Sequence, residues 1–320
     1  MTKKSAESHP DFSSSPISRR TFLQKLGAFV AGHRLLTGLG AGTIGTLAWS
    51  EHDTLKLEEN HWDLSYPDLP SSLNNKTILH LSDLHLESLQ FSPDRILKAV
   101  STFSPDLIVF TGDLISTRTD LDKVEKYLEP LHAIHGKYFV MGNNDYSHFS
   151  NALFKRYLEC LHTLGWNVLC NDAAYLSDLG LMIIGVDDPA TARDNTEQAY
   201  LQSQKLLSSS PAPSSTSQPF RLVLAHSTDC IDDVIRQGGA DLMLTGHTHG
   251  GQIRIPGMKP FITNTYLGQH GIYEGYHQID GIPVYISRGI GTSKIPFRLG
   301  ALPEITCFTL HQESASHTQR

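Results

Sequence analysis

Thr77-Ile78-Leu79-His80-Leu81-Ser82-Asp83-Leu84-His85 starts as a short apolar run and stops at a carboxylate and an imidazole two residues apart. A run this short and this apolar reads as a strand buried on both faces. The same arrangement recurs along the chain. Leu107-Ile108-Val109-Phe110 ends at Thr111-Gly112-Asp113, and Lys137-Tyr138-Phe139-Val140 ends at Gly142-Asn143-Asn144-Asp145. Further on, Phe220-Arg221-Leu222-Val223-Leu224-Ala225 leads into His226, and Asp241-Leu242-Met243-Leu244 leads into Gly246-His247-Thr248-His249. A further strand is expected at Leu181 to Val186. Helical segments fall between the strands. Ser92-Pro93-Asp94 supplies a capping hydroxyl, a proline at the first helical position and an acid for the helix dipole. Helices are also expected over about Asp120 to Leu131 and Asn151 to His162. This alternation is that of an α/β domain.

In α/β folds the carboxyl ends of strands are where sites assemble, so the five polar clusters are expected to converge. Taken singly, Asp-x-His or Gly-Asp is commonplace, and a lone histidine after a strand is more often a satisfied core residue than a ligand. Five clusters in one order, each closing a strand, are not commonplace. Carboxylates, an amide oxygen and imidazoles form a donor set suited to Mn²⁺, Fe²⁺ or Zn²⁺, with no thiolate required. Gly112, Gly142 and Gly246, each just before a candidate ligand, are expected to let the backbone turn sharply. Histidine is abundant, 17 in 320 residues, whereas the four cysteines show no paired spacing and read as reduced thiols. The formal charge of −7 argues against nucleic acid as a partner.

The order Asp83-x-His85, Gly112-Asp113, Gly142-Asn143, His226 and Gly246-His247-Thr248-His249 resembles that of the calcineurin-like metallophosphoesterases, from about Lys76 to Leu310. Supporting stretches are His247-Thr248-His249-Gly250-Gly251-Gln252, Tyr285-Ile286-Ser287-Arg288-Gly289-Ile290-Gly291 and Leu302-Pro303-Glu304-Ile305-Thr306. The resemblance implies a four-layer αββα sandwich with two mixed β-sheets, carrying two divalent metals at the upper sheet edge. By it, Asp83, His85 and His249 bind the first metal, Asn143, His226 and His247 the second, and Asp113 bridges them. Asp113, Asn143, Asn144 and His226 are the expected catalytic residues. Manganese is the expected ion, with iron or zinc as alternatives. The implied reaction is hydrolysis of a phosphate ester or anhydride by a metal-bridging hydroxide.

One position departs from the family pattern. The usual cluster is Gly-Asn-His-Asp/Glu, and its histidine is thought to protonate the leaving group; this chain has Asn144 there. An amide is no general acid at neutral pH, which costs on the order of 10² to 10⁴ in rate when the leaving group is a strong base. A phosphate anhydride needs little such help. Enzymes resembling this chain that cleave UDP-2,3-diacylglucosamine in lipid A synthesis also depart from histidine at this place. A nucleotide-linked or phosphorylated lipid is therefore the leading substrate expectation. The alternatives are that His148 or His270 acts as the acid, or that Asn144 only hydrogen-bonds a phosphate oxygen. Beyond that pyrophosphatase reading stand an exported phosphodiesterase or phosphatase and a non-catalytic binding module on the same scaffold.

Residues 1–50 read as a disordered leader followed by Ser18-Arg19-Arg20-Thr21-Phe22-Leu23-Gln24-Lys25, similar to a bacterial twin-arginine export signal. The apolar run Leu35 to Trp49 is about 15 residues, short of the roughly 20 that span a bilayer. Membrane contact through this segment is expected, as a removable signal, an anchor or an interfacial helix, with the protein at the bacterial inner membrane and the side left open. No obligate protein partner is evident. Residues 51–75 are expected to be a linker, 76–312 the catalytic domain with a flexible insertion at 208–219, and 313–320 a tail. The mixed basic and apolar stretch Thr292-Ser293-Lys294-Ile295-Pro296-Phe297-Arg298-Leu299 is expected to be a loop that touches lipid or packs on the domain.

Overall fold

A computed structural model describes residues 49–313 apart from 117–120, 148–149, 210–217, 256–257, 259 and 261–262. The leader, the twin-arginine-like stretch and nearly all of the apolar run lie outside the described residues, as do His148, the middle of the 208–219 insertion and most of the tail. Ser50–Arg320 forms one compact unit.

Twelve strands are described: β1 (Glu58–Tyr66), β2 (Thr77–Leu81), β3 (Leu107–Thr111), β4 (Lys137–Val140), β5 (Trp166–Val168), β6 (Asp172–Leu176), β7 (Leu181–Gly185), β8 (Phe220–Leu224), β9 (Leu242–Thr245), β10 (Gly275–Ile279), β11 (Ile282–Ile286) and β12 (Glu304–Gln312). They form two six-stranded sheets, β1-β12-β2-β3-β4-β5 and β10-β11-β9-β8-β7-β6. Both sheets are mixed. Strands β2 to β5 run parallel and β12 lies antiparallel to β2, while β7, β8, β9 and β11 run parallel with β6 and β10 antiparallel at the two edges.

Side-chain alternation sorts the strands into layers. Ile78, Leu107, Val109 and Val140 of the first sheet meet Leu181, Ile183, Leu222, Leu224 and Leu244 of the second in one apolar cluster, the middle of the sandwich. The intervening residues Leu79, Leu81, Ile108, Phe110 and Phe139 face outward onto α1 (Pro93–Phe103), α2 (Leu121–Leu128) and, beyond α3 (Asn143–Ser147), α4 (Asn151–Thr163). On the other side Met182, Ile184, Val223, Met243 and Val284 pack on α5 (Thr196–Ser209) and α6 (Ile231–Arg236). This is the αββα order expected. Ser92 caps α1 by accepting from Arg95 N–H, with Pro93 in the first turn.

Residues 51–75 are not a linker. They contain β1, which pairs in parallel with β12 along nine positions from Glu58↔Glu304 to Tyr66↔Gln312. Only Leu64 of β1 is buried, so this edge strand is held by backbone pairing and lacks the apolar signature of the inner strands. Just before it, Asp53 Oδ2 accepts from Gly300 N–H (2.7 Å) and Thr54 Oγ1 accepts from Arg298 N–H (2.7 Å).

Candidate metal centre

The ends of β2, β3, β4, β8 and β9 bring the predicted side chains to one edge of the sandwich. Asp83, His85, Asp113, His247 and His249 all hold left-handed backbone conformations, with φ between 44° and 70°. For residues with a Cβ such conformations cost on the order of 1–3 kcal/mol each and concentrate at functional sites. All three glycines are needed for space, a Cβ on Gly112 falling 2.5 Å from Gly142 N, and Gly112 for its conformation as well. Gly112 takes φ 82°, a true left-handed turn. A Cβ on Gly142 would fall 2.3 Å from Asp113 Oδ1 and one on Gly246 2.0 Å from Ser82 Oγ and 2.3 Å from Asp83 Oδ2. Asp145, fully buried, fastens the β3 and β4 turns together. It accepts from Gly142 N–H (2.9 Å), Asp113 N–H (2.8 Å), Leu114 N–H (3.2 Å) and the Tyr157 hydroxyl (3.0 Å).

Two buried triads result, Asp83–His85–His249 and Asp113–His226–His247, the ligand atoms of each lying within 4.8 Å of one another. Asp113 Oδ2 lies between them, 3.6 Å from His85 Nε2 and 3.3 Å from His226 Nε2. Asp83 Oδ1 is 3.3 Å from His249 Nε2. Imidazole nitrogens face each other at 3.0 Å twice, His85 Nε2 with His249 Nε2 and His247 Nδ1 with His226 Nε2. Such pairs of inward lone pairs need a proton or a cation to hold them together. His226 donates its Nδ1–H to Thr111 O (2.7 Å), which leaves its Nε2 lone pair facing the centre. Asn143 Oδ1 is buried with no hydrogen-bond partner among the described residues, an arrangement that a bound cation would satisfy. The donor set therefore fits two divalent ions.

Burial and mutual charge polarise these groups. Burial opposes the Asp113 charge, but His226, followed by His85 and His247, overcomes it and holds the carboxyl well below its usual range. His226 is raised well above its usual value in spite of burial, because Asp113 faces it. Burial, with help from the His226 charge, pushes His247 down to about 3. Burial also holds His249 low, with His85 and Arg298 adding to the effect. Asp145 rises to about 7 through burial and its proximity to Asp113.

Asn144 stands at the start of α3 beside Asp113, donating its backbone N–H to Oδ1 (2.8 Å) and its side-chain amide to Oδ2 (2.6 Å). The predicted ligands and Asn144 are thus all at this edge. His270 is elsewhere, exposed at the end of α7 (Tyr266–Gln269) with its Nδ1 on Tyr266 O. Arg298 does not face outward as a basic loop residue would. It is fully buried, with NH2 2.7 Å from Arg288 O and 3.1 Å from both Gly289 O and His249 Nδ1. Sequence reading gave no role to Arg298 or to Gln252, whose amide holds the 293–297 loop. It also passed over Asp187 and Asp188, which close β7 as the candidate ligands close their strands. Asp188 carries the same signal, a carboxylate after an apolar run, but its Oδ2 caps the following turn at Thr191 N–H.

The family model for calcineurin-like phosphoesterases matches residues 76–251. The chain is 32% identical over 234 residues to the metallophosphoesterase YkoQ of Bacillus subtilis strain 168, covering 72% of this chain and 81% of that one. It is 29% identical to the metallophosphoesterase YkuE of the same organism, covering 92% and 98%. It is 26% identical over 338 residues to the UDP-2,3-diacylglucosamine pyrophosphatase LpxG of Chlamydia muridarum, covering 87% and 96%. With the ordered strand ends and paired triads in place, these matches make the chain a member of the calcineurin-like phosphoesterase family and a metal-dependent phosphate hydrolase.

Proposed function

We propose that the protein hydrolyses a diphosphate linkage in a lipid-linked or nucleotide-linked substrate, UDP-2,3-diacylglucosamine being the leading case. Asn144 carries the reading. The side chain next to Asp113 Oδ2 is an amide, which has no proton to give at neutral pH, so the favoured leaving group is one that departs as a weak base. A phosphate leaving from an anhydride is such a group. The similarity to LpxG supports the same substrate class.

In this reading Asp83, His85 and His249 would hold one divalent ion, Asn143, His226 and His247 the other, and Asp113 both, with manganese the expected metal. Bound there, the ions supply Lewis acidity toward water and phosphoryl oxygens. The chain supplies fixed geometry. Asp145 pins the Asp113 turn, Thr111 O orients His226, and Asn144 holds Asp113 in place by donating its amide to Oδ2. Attachment at the bacterial inner membrane through residues 1–50 is part of the proposal, supported by the apolar run and the twin-arginine-like stretch. Among the described residues no helix is long and apolar enough to cross a membrane.

The test is hydrolysis by protein stripped of metal and reloaded with Mn²⁺, comparing UDP-2,3-diacylglucosamine with bis-p-nitrophenyl phosphate and using Asp113→Ala as the blank. Mutation-sensitive release of UMP from the lipid is expected. Turnover of the aryl diester with none of the lipid or of other diphosphates overturns the substrate reading in favour of a phosphodiesterase.

A further inference from the structure

The segment after β11 runs along the loop that carries Asp83 and His85. Ile290 N–H and Gly291 N–H bond to Ser82 O (3.1 Å) and Asp83 O (2.7 Å), so this segment lies against the first ligand loop. Ser88 Oγ then donates to Thr292 O (2.7 Å) and Gln90 Nε2 to Pro296 O (2.9 Å). From the other side Gln252, three residues beyond His249, grips the same segment with both ends of its amide. Its Oε1 accepts from Ser293 N–H (2.9 Å), and its Nε2 donates to Ile295 O (2.8 Å) and Phe297 O (3.1 Å).

At the middle of this grip Ile295 N–H bonds back to Ser293 O (2.7 Å), closing a three-residue turn with Lys294 at its apex and φ 62°. That sign of φ belongs to the rarer and more strained of the two γ-turn forms. A lysine has no intrinsic preference for it, and the strain persists because side chains from two ligand loops fix the residues on either side. Lys294 is exposed, in contrast to Arg298 of the same loop, and forms no ion pair or side-chain hydrogen bond among the described residues. An exposed ammonium is thus carried on a turn that side chains from the Asp83–His85 and His247–His249 loops brace on both sides.

We infer that Lys294 binds the phosphoryl group that is not attacked, and so selects substrates carrying two linked phosphates over those carrying one. This inference rests on the diphosphate reading above. A diphosphate placed with one phosphorus at the metal pair carries further negative charge on its second phosphorus. An ammonium whose stem starts from a fixed turn can reach that charge and pair with it as a point donor. A monophosphate leaves Lys294 without a partner.

The test is calorimetric titration of the Mn²⁺-loaded protein with α,β-methylene-UDP, a diphosphate that hydrolysis cannot cleave at its bridge, and with UMP. The wild type is expected to bind the diphosphate at least about 10-fold more tightly than UMP. Lys294→Gln is expected to bind the two within about 3-fold of each other, and Lys294→Arg to recover most of the difference, with metal content unchanged in both. Lys294→Gly guards against misfolding, since it relieves the positive φ while removing the charge. It is expected to raise the unfolding temperature and still lose the discrimination. A preference for the diphosphate that persists in Lys294→Gln and Lys294→Gly, or that is missing from the wild type, overturns the inference. Because binding is read without turnover, failure to hydrolyse UDP-2,3-diacylglucosamine would count against the substrate proposal alone.

Discussion

Asn144 and Asp113 are joined twice, backbone N–H to Oδ1 at 2.8 Å and side-chain amide to Oδ2 at 2.6 Å, so an amide hydrogen sits on the oxygen shared between the two triads. Asn144→His puts an acid in that place. Cleavage of substrates with strongly basic leaving groups, such as alkyl phosphate esters, should rise about 10-fold or more relative to diphosphate cleavage. Steady-state rates on one substrate of each kind check this, and an unchanged ratio would show that leaving-group protonation is not what Asn144 lacks.

Gly246 leaves no room for a methyl group, because Ser82 Oγ and Asp83 Oδ2 occupy the space. Gly246→Ala should displace Asp83 and reduce bound metal from two ions per chain toward one, with activity falling by about 100-fold or more. Elemental analysis of the purified variant measures the stoichiometry.

His80 lies in the sandwich interior, its Nε2 2.7 Å from Thr111 Oγ1 and its ring near Tyr285, and burial pushes it down to about 3 from a usual 6.5. Between those values the unfolded chain takes up a proton that the folded chain refuses. Stability contributed by neutral His80 is complete above about pH 6.5 and declines as the pH falls toward 3, by up to about 1.4 kcal/mol per pH unit. Urea unfolding from pH 7 to pH 4.5 should show a shallower loss for His80→Gln than for the wild type. Parallel curves would exclude His80 as a source of acid lability.

Arg298 satisfies carbonyl oxygens of Arg288, Gly289, Gly291 and Ala301 from a position with no exposed surface. Arg298→Met takes this donor from all four, Gly289 O alone keeping a second one in Glu304 N–H, at about 1–3 kcal/mol for each buried group left without a partner that water cannot reach. The variant should unfold at least about 3 kcal/mol more easily and bind metal less tightly, since His249 Nδ1 loses its partner as well. Arg298→Lys, which keeps the charge but not the fork of donors, should recover only part of the loss. Denaturant midpoints and metal titrations distinguish the three proteins.

The inner strands could be read from sequence because parallel strands covered on both faces are largely apolar, as residues Leu107 to Phe110 and Leu242 to Leu244 are. The candidate ligands stand out because their clusters follow such runs. Strand β1 gave no comparable signal. Glu58–Tyr66 is polar at most positions, and its register comes from backbone pairing with a strand nearly 250 residues away. The burial of Arg298 was not legible for a related reason. Composition favours an arginine near lysine and phenylalanine at the surface, and only the converging carbonyls of a folded loop make burial of its guanidinium tolerable. The uses of Gly142 and Gly246 were likewise mistaken, because a need for space depends on what approaches from another loop.

Asp53 and Thr54 accept hydrogen bonds from Gly300 and Arg298, so the residues just after the N-terminal segment fasten the loop that supports His249. Any processing that shortens the chain therefore meets a boundary. Removal of residues up to Trp49 leaves both fastenings intact, whereas trimming past Thr54 takes both away, although every candidate metal-binding side chain is still present.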